Sequence, residues 1–137
     1  MFDVISDLNW LGIVLATVAY FILGALWFTP LFGALYDKAM GFSRPKKYKW
    51  GMIYYVMPAV SAFMVSLTTG ALTEALALVE LSDAIILGIV VGIGYTGAVS
   101  FNNAVNPKTP RPLLYGAVTG SYHLVGAILV SIIIILI

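Results

Sequence analysis

The sequence predicts an all-α polytopic membrane protein, a single domain over residues 1–137 that crosses the bilayer four times as two helical hairpins. Three observations predict this class. First, 61% of the residues are hydrophobic and only 9% are charged, whereas soluble domains carry about 25% charged residues. Second, the mean hydropathy is +1.02. Third, four apolar segments are each long enough for the hydrocarbon core, which takes about 20 helical residues to cross.

The four predicted spans follow one another in sequence with connections of unequal length. The first covers about residues 8–28 and is expected to stop at Pro30, because proline cannot continue a helix. The second covers about residues 52–72, the third about residues 84–102 and the fourth about residues 113–137.

Lysine and arginine occur in only two of the connections. The long connection 31–51 holds five of these seven bases and the connection 103–112 holds the other two, whereas the N-terminal residues and the connection 73–83 carry acids and no base. Cytoplasmic loops are the basic ones, so we expect both termini outside and a multi-pass protein in the inner, cytoplasmic membrane. A one-sided charge distribution fixes one insertion direction, so any homo-oligomer is expected to be parallel.

The end of the first span is rich in aromatic residues, which are typical of a belt at the membrane–water interface. They are Trp27, Phe28, Phe32 and Tyr36. The stretch LYDKAMGFS that follows predicts a short interfacial helix, which Gly41 would end.

A basic cluster follows this interfacial helix at Arg44, Lys46, Lys47 and Lys49. Such a cluster beside the membrane attracts anionic lipid by about 1 kcal/mol for each basic residue. These four side chains are therefore candidates for contact with lipid headgroups. The alternative is that the charges only control topology during insertion.

The only histidine, His123, lies ten residues beyond Leu113, or about 15 Å into the membrane at 1.5 Å per residue. This depth is the bilayer midplane. Small residues let membrane helices approach closely, and Gly116 and Gly120 fall on the side of the fourth helix that carries His123. The third helix offers Gly88 and Gly92 at a spacing of four. We therefore expect these glycines to pack helices together and the imidazole to face protein.

Hydroxyl-bearing residues of the other three spans are predicted at the depth of His123, as possible hydrogen-bond partners. They are Thr17, Tyr20, Ser61, Tyr95 and Thr96. One interpretation of His123 is a hydrogen bond that holds helices together. Another is a group that responds to protons or substrate, because ionisable residues inside membranes often mark transport pathways.

Composition and motifs give no support to several other classes of function. The net charge of +1 implies no bulk attraction to nucleic acid, and the chain has no cysteine for thiolate or iron–sulfur chemistry. Since no second histidine or carboxylate shares the depth of His123, we expect neither a metal site nor a cofactor. Paired carboxylates are missing from the spans, and Ser121 lies two residues from His123, on a different helix face. We therefore expect no enzyme activity.

Two regions resemble the DUF1761 family of small membrane proteins. The first is GALWFTPLFGALYDKAMGFS over residues 24–43, in which the matching residues are Trp27, Pro30, Leu31, Phe32, Gly33, Met40 and Gly41. The second contains Arg111 and Pro112 and continues as Tyr122, His123, Leu124 and Val125. The resemblance implies a four-helix membrane protein and carries no established activity.

Two functions fit these observations. In the first, a parallel homo-oligomer forms a channel or a transporter component. Its path would be lined by Tyr95, Thr96, Asn102, Asn103, Tyr122 and His123. In the second, a non-catalytic structural or interaction protein packs against sister subunits or a partner in the bilayer. The cost of keeping a histidine with nearby hydroxyls at the midplane favours the first by a small margin.

Overall fold

The computed structural model describes residues 3–137 and confirms the all-helical prediction. Four helices are long and apolar enough to cross a membrane: the first span Trp10–Leu31, the second Ile53–Ala75, the third Leu81–Ala104 and the fourth Pro112–Leu136. Among the described residues there is no β-strand. A short helix, Asp3–Ser6, precedes the first span and contacts the second.

The sequence predicts that the first span stops at Pro30, but the helix continues past this residue. Its α-helix, Trp10–Leu26, continues as a π-helical turn over Trp27–Leu31. The amide of Phe32 donates to the carbonyl of Trp27 at 2.8 Å, which is the five-residue spacing of a π-helix. Pro30 sits inside this wider turn, and the helix breaks only at Phe32, where φ is −123°.

A short helix is present at the predicted position, Gly33–Met40, and is called the interfacial helix below. Gly41 ends it in the left-handed region at φ +64°, a conformation that glycine adopts without steric cost. The amide of Phe42 then donates to the carbonyl of Asp37 at 2.9 Å, which closes the helix end. Gly41 therefore ends this helix, as the sequence predicts.

The fourth span is the central helix of the bundle and packs against all three others. Half of the residues in its most apolar 18-residue stretch are buried, against 22% to 33% in the corresponding stretches of the other spans. The first span also packs against the second, while the third packs mainly against the fourth. The core cluster joins the first, second and fourth spans through Ala16, Tyr20, Ala62, Val130 and Ile134.

The third and fourth spans approach each other across glycines. A β-carbon on Gly88 would lie 2.5 Å from the Cα of Ile128, and one on Gly92 would lie 2.9 Å from the Cα of Leu124. Any side chain at these positions would push the two backbones apart. The third span is π-helical over Gly92–Gly97, in the middle of this contact.

The two basic connections lie together at one end of the bundle. The amide of Arg111 donates to the carbonyl of Ala39 in the interfacial helix at 3.2 Å. Pro110 packs beside Gly41, where a β-carbon would lie 3.1 Å from its ring. This contact brings the interfacial helix against the start of the fourth span.

Candidate functional site

Tyr20 and His123 form a hydrogen bond between the first and fourth spans. The phenol oxygen lies 2.5 Å from Nδ1 of the imidazole. Tyr20 is fully buried, with 2% of its surface exposed, and His123 is half-buried. The tyrosine ring lies directly on Gly126, where a β-carbon would overlap its Cε2 atom. The absence of a side chain at Gly126 therefore allows the phenol to reach His123.

Tyr122 completes this cluster from the fourth span. Its ring stacks on that of Tyr20 at a centroid distance of 5.1 Å. Its hydroxyl reaches the first span beside Gly24, where a β-carbon would lie 2.9 Å from the oxygen. The indole of Trp27 donates to the carbonyl of Val118 at 3.0 Å, which is a further link between the same two helices.

An aromatic column continues from Tyr122 toward the end of the bundle that carries the basic connections. Phe28 packs edge-on against Tyr122 at 5.0 Å and against Tyr36 at 5.1 Å, and Tyr36 in turn lies 5.7 Å from Tyr115. Tyr36 lies outside the spans, and burial, with a smaller contribution from Tyr115, raises its pKa to about 12. The sequence places Trp27, Phe28 and Tyr36 in an interfacial belt, and the structure shows that these rings also pack inward on the fourth span.

Three of the hydroxyls predicted near His123 have other surroundings. Thr17 donates to the carbonyl of Ile13 in its own helix at 2.7 Å. Thr96 does the same toward Gly92 at 3.2 Å. Ser61 is exposed on the second span. Of the five predicted partners, the structure joins Tyr20 to His123 by a hydrogen bond.

The remaining predicted path residues lie on the outer surface of the third span. Tyr95 is 70% exposed. Asn102 and Asn103, near the C-terminal end of the same span, are also exposed. The structure therefore separates two groups of predicted residues: Tyr20, Tyr122 and His123 inside the bundle, and Tyr95 with the two asparagines on its surface.

A groove of about 490 Å³ runs between the third and fourth spans on the outside of the bundle. Phe101 lines it, and its ring covers Gly116 and Gly120, where β-carbons would lie 2.5 and 3.0 Å from ring atoms. Ile93 and Ser121 also line it. Since Ser121 donates to the carbonyl of Ala117, the groove offers an almost wholly apolar surface.

Two buried serines were not singled out by the sequence. The hydroxyls of Ser66 and Ser131 are fully buried and have no hydrogen-bond partner among residues 3–137. On the second span, Ser66, Thr69 and Thr73 follow one another at spacings of three and four, and all three are buried. This spacing is the signal that could have identified the buried face of the second span.

The charged side chains at the basic end are divided between an ion pair and exposed lysines. Arg44 binds Asp37 at 2.8 Å. Lys46, Lys47 and Lys49 are exposed. Within the described part of the chain, no group of three or more histidine, cysteine, aspartate or glutamate side chains could hold a metal ion.

Three apolar helices packed against a central fourth one, with charged connections at their ends, define a multi-pass integral membrane protein. The chain belongs to the DUF1761 family, a family of proteins of unknown function, whose profile matches residues 11–135. The match covers nearly the whole chain and confirms the resemblance seen in the sequence. No curated protein and no solved structure matches the chain.

Proposed function

We propose that the protein is the subunit of a parallel homo-oligomer that conducts a small solute across the cytoplasmic membrane, along a path between subunits. One observation carries this proposal: the phenol of Tyr95 is 70% exposed on the outer face of the third span. Tyr95 precedes the inner end of that span, Ala104, by nine residues, which is about 14 Å along a helix. Its hydroxyl therefore faces the hydrocarbon core of a membrane that surrounds a single subunit.

A polar group at that depth needs a partner, because an unsatisfied hydrogen-bonding group in hydrocarbon costs several kcal/mol. Water in a path or a polar group of a second subunit would supply one. Asn102 is also exposed on the same span, seven residues further along the chain. Together with Asn103 it extends the polar strip from the midplane toward the inner end.

The Tyr20–His123 pair would support the wall of this path from inside each subunit. We assign no catalytic step to the protein, because the hydroxyls of Thr17, Thr96 and Ser121 already donate to carbonyls of their own helices. In the proposed orientation the basic loop faces the cytoplasmic leaflet, where anionic lipid headgroups are its expected partners.

Cysteine cross-linking in membranes tests the subunit contact. The chain has no cysteine, so each single-cysteine variant reports on one position only. Tyr95→Cys should form disulfide-linked dimers on mild oxidation. Ile22→Cys is the matched control, because Ile22 is 51% exposed and lies near the middle of the first span. Equal cross-linking at both positions, or at neither, would contradict the proposed interface.

Flux through proteoliposomes tests conduction separately. Vesicles with the wild-type protein should pass protons, small anions or neutral solutes faster than empty vesicles. Asn102→Leu should reduce this flux without loss of the cross-link at position 95. If all solutes pass at the empty-vesicle rate while the cross-link persists, conduction is excluded and the interface stands.

That last outcome would support a second candidate, a non-catalytic interaction protein. The almost wholly apolar groove between the third and fourth spans favours it, because such a surface can pack against another apolar helix. In that case the Tyr95 hydroxyl would bond across a dry contact, and no continuous polar path would cross the membrane.

A further inference from the structure

We propose that the connection between the first and second spans binds an anionic phospholipid headgroup through Lys46, Lys47 and Lys49, and that Arg44 is a positioning residue that holds this loop in place. The assignment rests on the cytoplasmic orientation in the proposed function and is independent of any solute path.

Arg44 differs from the three lysines because it is half-buried and its guanidinium already contacts other residues of the chain. Its Nη2 atom lies 2.8 Å from a carboxylate oxygen of Asp37 and 3.5 Å from the carbonyl of Phe28. The guanidinium also stacks on Trp50, with 5.1 Å between its central carbon and the ring centroid. These three contacts connect Arg44 to the interfacial helix, to the end of the first span and to the residues just before the second span.

The ion pair also neutralises the one acidic side chain in this connection. Asp37 is the only acidic residue in the connections 31–51 and 103–112. Once Arg44 neutralises it, Lys46, Lys47 and Lys49 present exposed positive charge with no carboxylate to offset it. A ligand of complementary charge is therefore an anion.

Aromatic rings alternate with the lysines and fix their level relative to the membrane. Phe42, Tyr48, Trp50 and Tyr54 form a row in which successive ring centroids lie 5.6, 4.6 and 5.0 Å apart. Tryptophan and tyrosine prefer the headgroup level of a bilayer, and this row leads directly into the second span. The lysines between these rings are thus held at the depth of lipid phosphates, which favours a phospholipid over a soluble anion.

Lipid titration of the purified full-length protein in a neutral detergent, followed by native mass spectrometry, tests this site. The probes are short-chain phosphatidylglycerol and phosphatidylcholine with the same acyl chains. The wild type should bind phosphatidylglycerol more tightly than phosphatidylcholine. Each lysine near an anionic lipid contributes about a fivefold change in affinity, so K46Q/K47Q/K49Q should lose at least tenfold for phosphatidylglycerol alone.

Two control variants separate the roles of the basic residues. Lys108→Gln, in the other basic connection at the same end of the bundle, removes one charge outside the proposed site and should lower phosphatidylglycerol affinity by no more than about fivefold, less than the triple variant does. Arg44→Gln should weaken phosphatidylglycerol binding. In a W10F/W27F background, where Trp50 is the only tryptophan, it should also shift the emission to the red, since Trp50 loses its packed cation. A weakened affinity without any change at Trp50 would show that Arg44 binds lipid directly and would overturn its positioning role.

The lipid-binding proposal fails if the triple variant binds phosphatidylglycerol like the wild type, or if the wild type binds both lipids equally. It also fails if inorganic phosphate at low millimolar concentration displaces the lipid, because the site would then recognise a free anion. The three lysines are exposed, so far-UV circular dichroism should show unchanged helicity in the triple variant. Lipid binding is measured without cross-linking and without a flux assay. A negative result here is therefore distinguishable from failure of the proposed function.

Discussion

The phenol oxygen of Tyr20 and Nδ1 of His123 lie 2.5 Å apart, and their hydrogen bond connects the first span to the central fourth span. Tyr20 is almost completely buried, and its single hydroxyl hydrogen needs an acceptor. A neutral imidazole can accept at Nδ1 only when its own proton is on Nε2. We therefore expect the Nε2–H tautomer of the histidine, in which the phenol donates to Nδ1.

The protonation state of His123 can be read directly, because it is the only histidine in the chain. In protein labelled with ¹⁵N-histidine and reconstituted in lipid, NMR should show the neutral Nε2–H tautomer. Tyr20→Phe removes the hydroxyl donor and should produce a mixture of the two tautomers. A wild-type spectrum dominated by Nδ1–H would mean that the histidine donates to the phenol, against this assignment.

Loss of the same hydroxyl should lower the stability of the bundle by a modest amount. Hydrogen bonds between membrane helices contribute about 0.6 kcal/mol on average and at most about 1.7 kcal/mol. We expect Tyr20→Phe to fall in this range in unfolding by a denaturing detergent, followed by circular dichroism. Tyr54→Phe is the matched control because Tyr54 is 56% exposed, and it should leave the unfolding midpoint unchanged.

A single methyl group should separate the third and fourth spans. Gly88→Ala would place its β-carbon 2.5 Å from the Cα of Ile128, and such overpacking costs about 1–3 kcal/mol. Gly94 lies on the same span, but nothing lies within 4 Å of its β-carbon position. Gly94→Ala should therefore unfold at the same detergent concentration as the wild type, or slightly higher. Equal destabilisation by both changes would rule out the close helix contact.

Tyr36 should make stability depend on alkaline pH. Its pKa rises from the ordinary 10.0 to about 12 in the folded protein, chiefly because it is buried. A group whose folded pKa is raised contributes stability below its unfolded pKa, and this contribution disappears as pH rises from 10 to about 12. The wild type should lose stability over that interval more steeply than Tyr36→Phe, as measured by detergent unfolding. Parallel curves for the two proteins would contradict the burial of the phenol.

Hydropathy and charge were enough to predict the four spans and the interfacial helix, because both depend on local sequence. The central position of the fourth span could not be predicted in this way. The third and fourth spans have the same mean hydropathy of 2.0 over their most apolar 18 residues. Of those residues, 33% are buried in the third span and 50% in the fourth. Which helix lies at the centre depends on how glycines match opposite side chains, as Gly126 matches Tyr20, and that pairing is not local.

The candidate site was predictable where α-helical periodicity holds. Depth and spacing place Tyr20 among five candidate partners for His123, and the structure joins Tyr20 to it. The same counting does not orient Tyr95, because the third span is π-helical over Gly92–Gly97 and its side chains no longer advance by 100° per residue. On the second span, hydroxyl residues occur on several faces, so composition alone could not distinguish the exposed Ser61 from the buried Ser66.

The direction of the chain in the membrane underlies the placement of the basic loop at the cytoplasmic leaflet and the orientation of the proposed path. Its most direct measurement is labelling of single cysteines by a membrane-impermeant maleimide in intact cells. Lys47→Cys should react only after the membrane is opened, and Leu76→Cys, at the opposite end of the bundle, should react at once. Labelling of Lys47→Cys in sealed cells, with Leu76→Cys protected, would reverse the orientation and contradict the account.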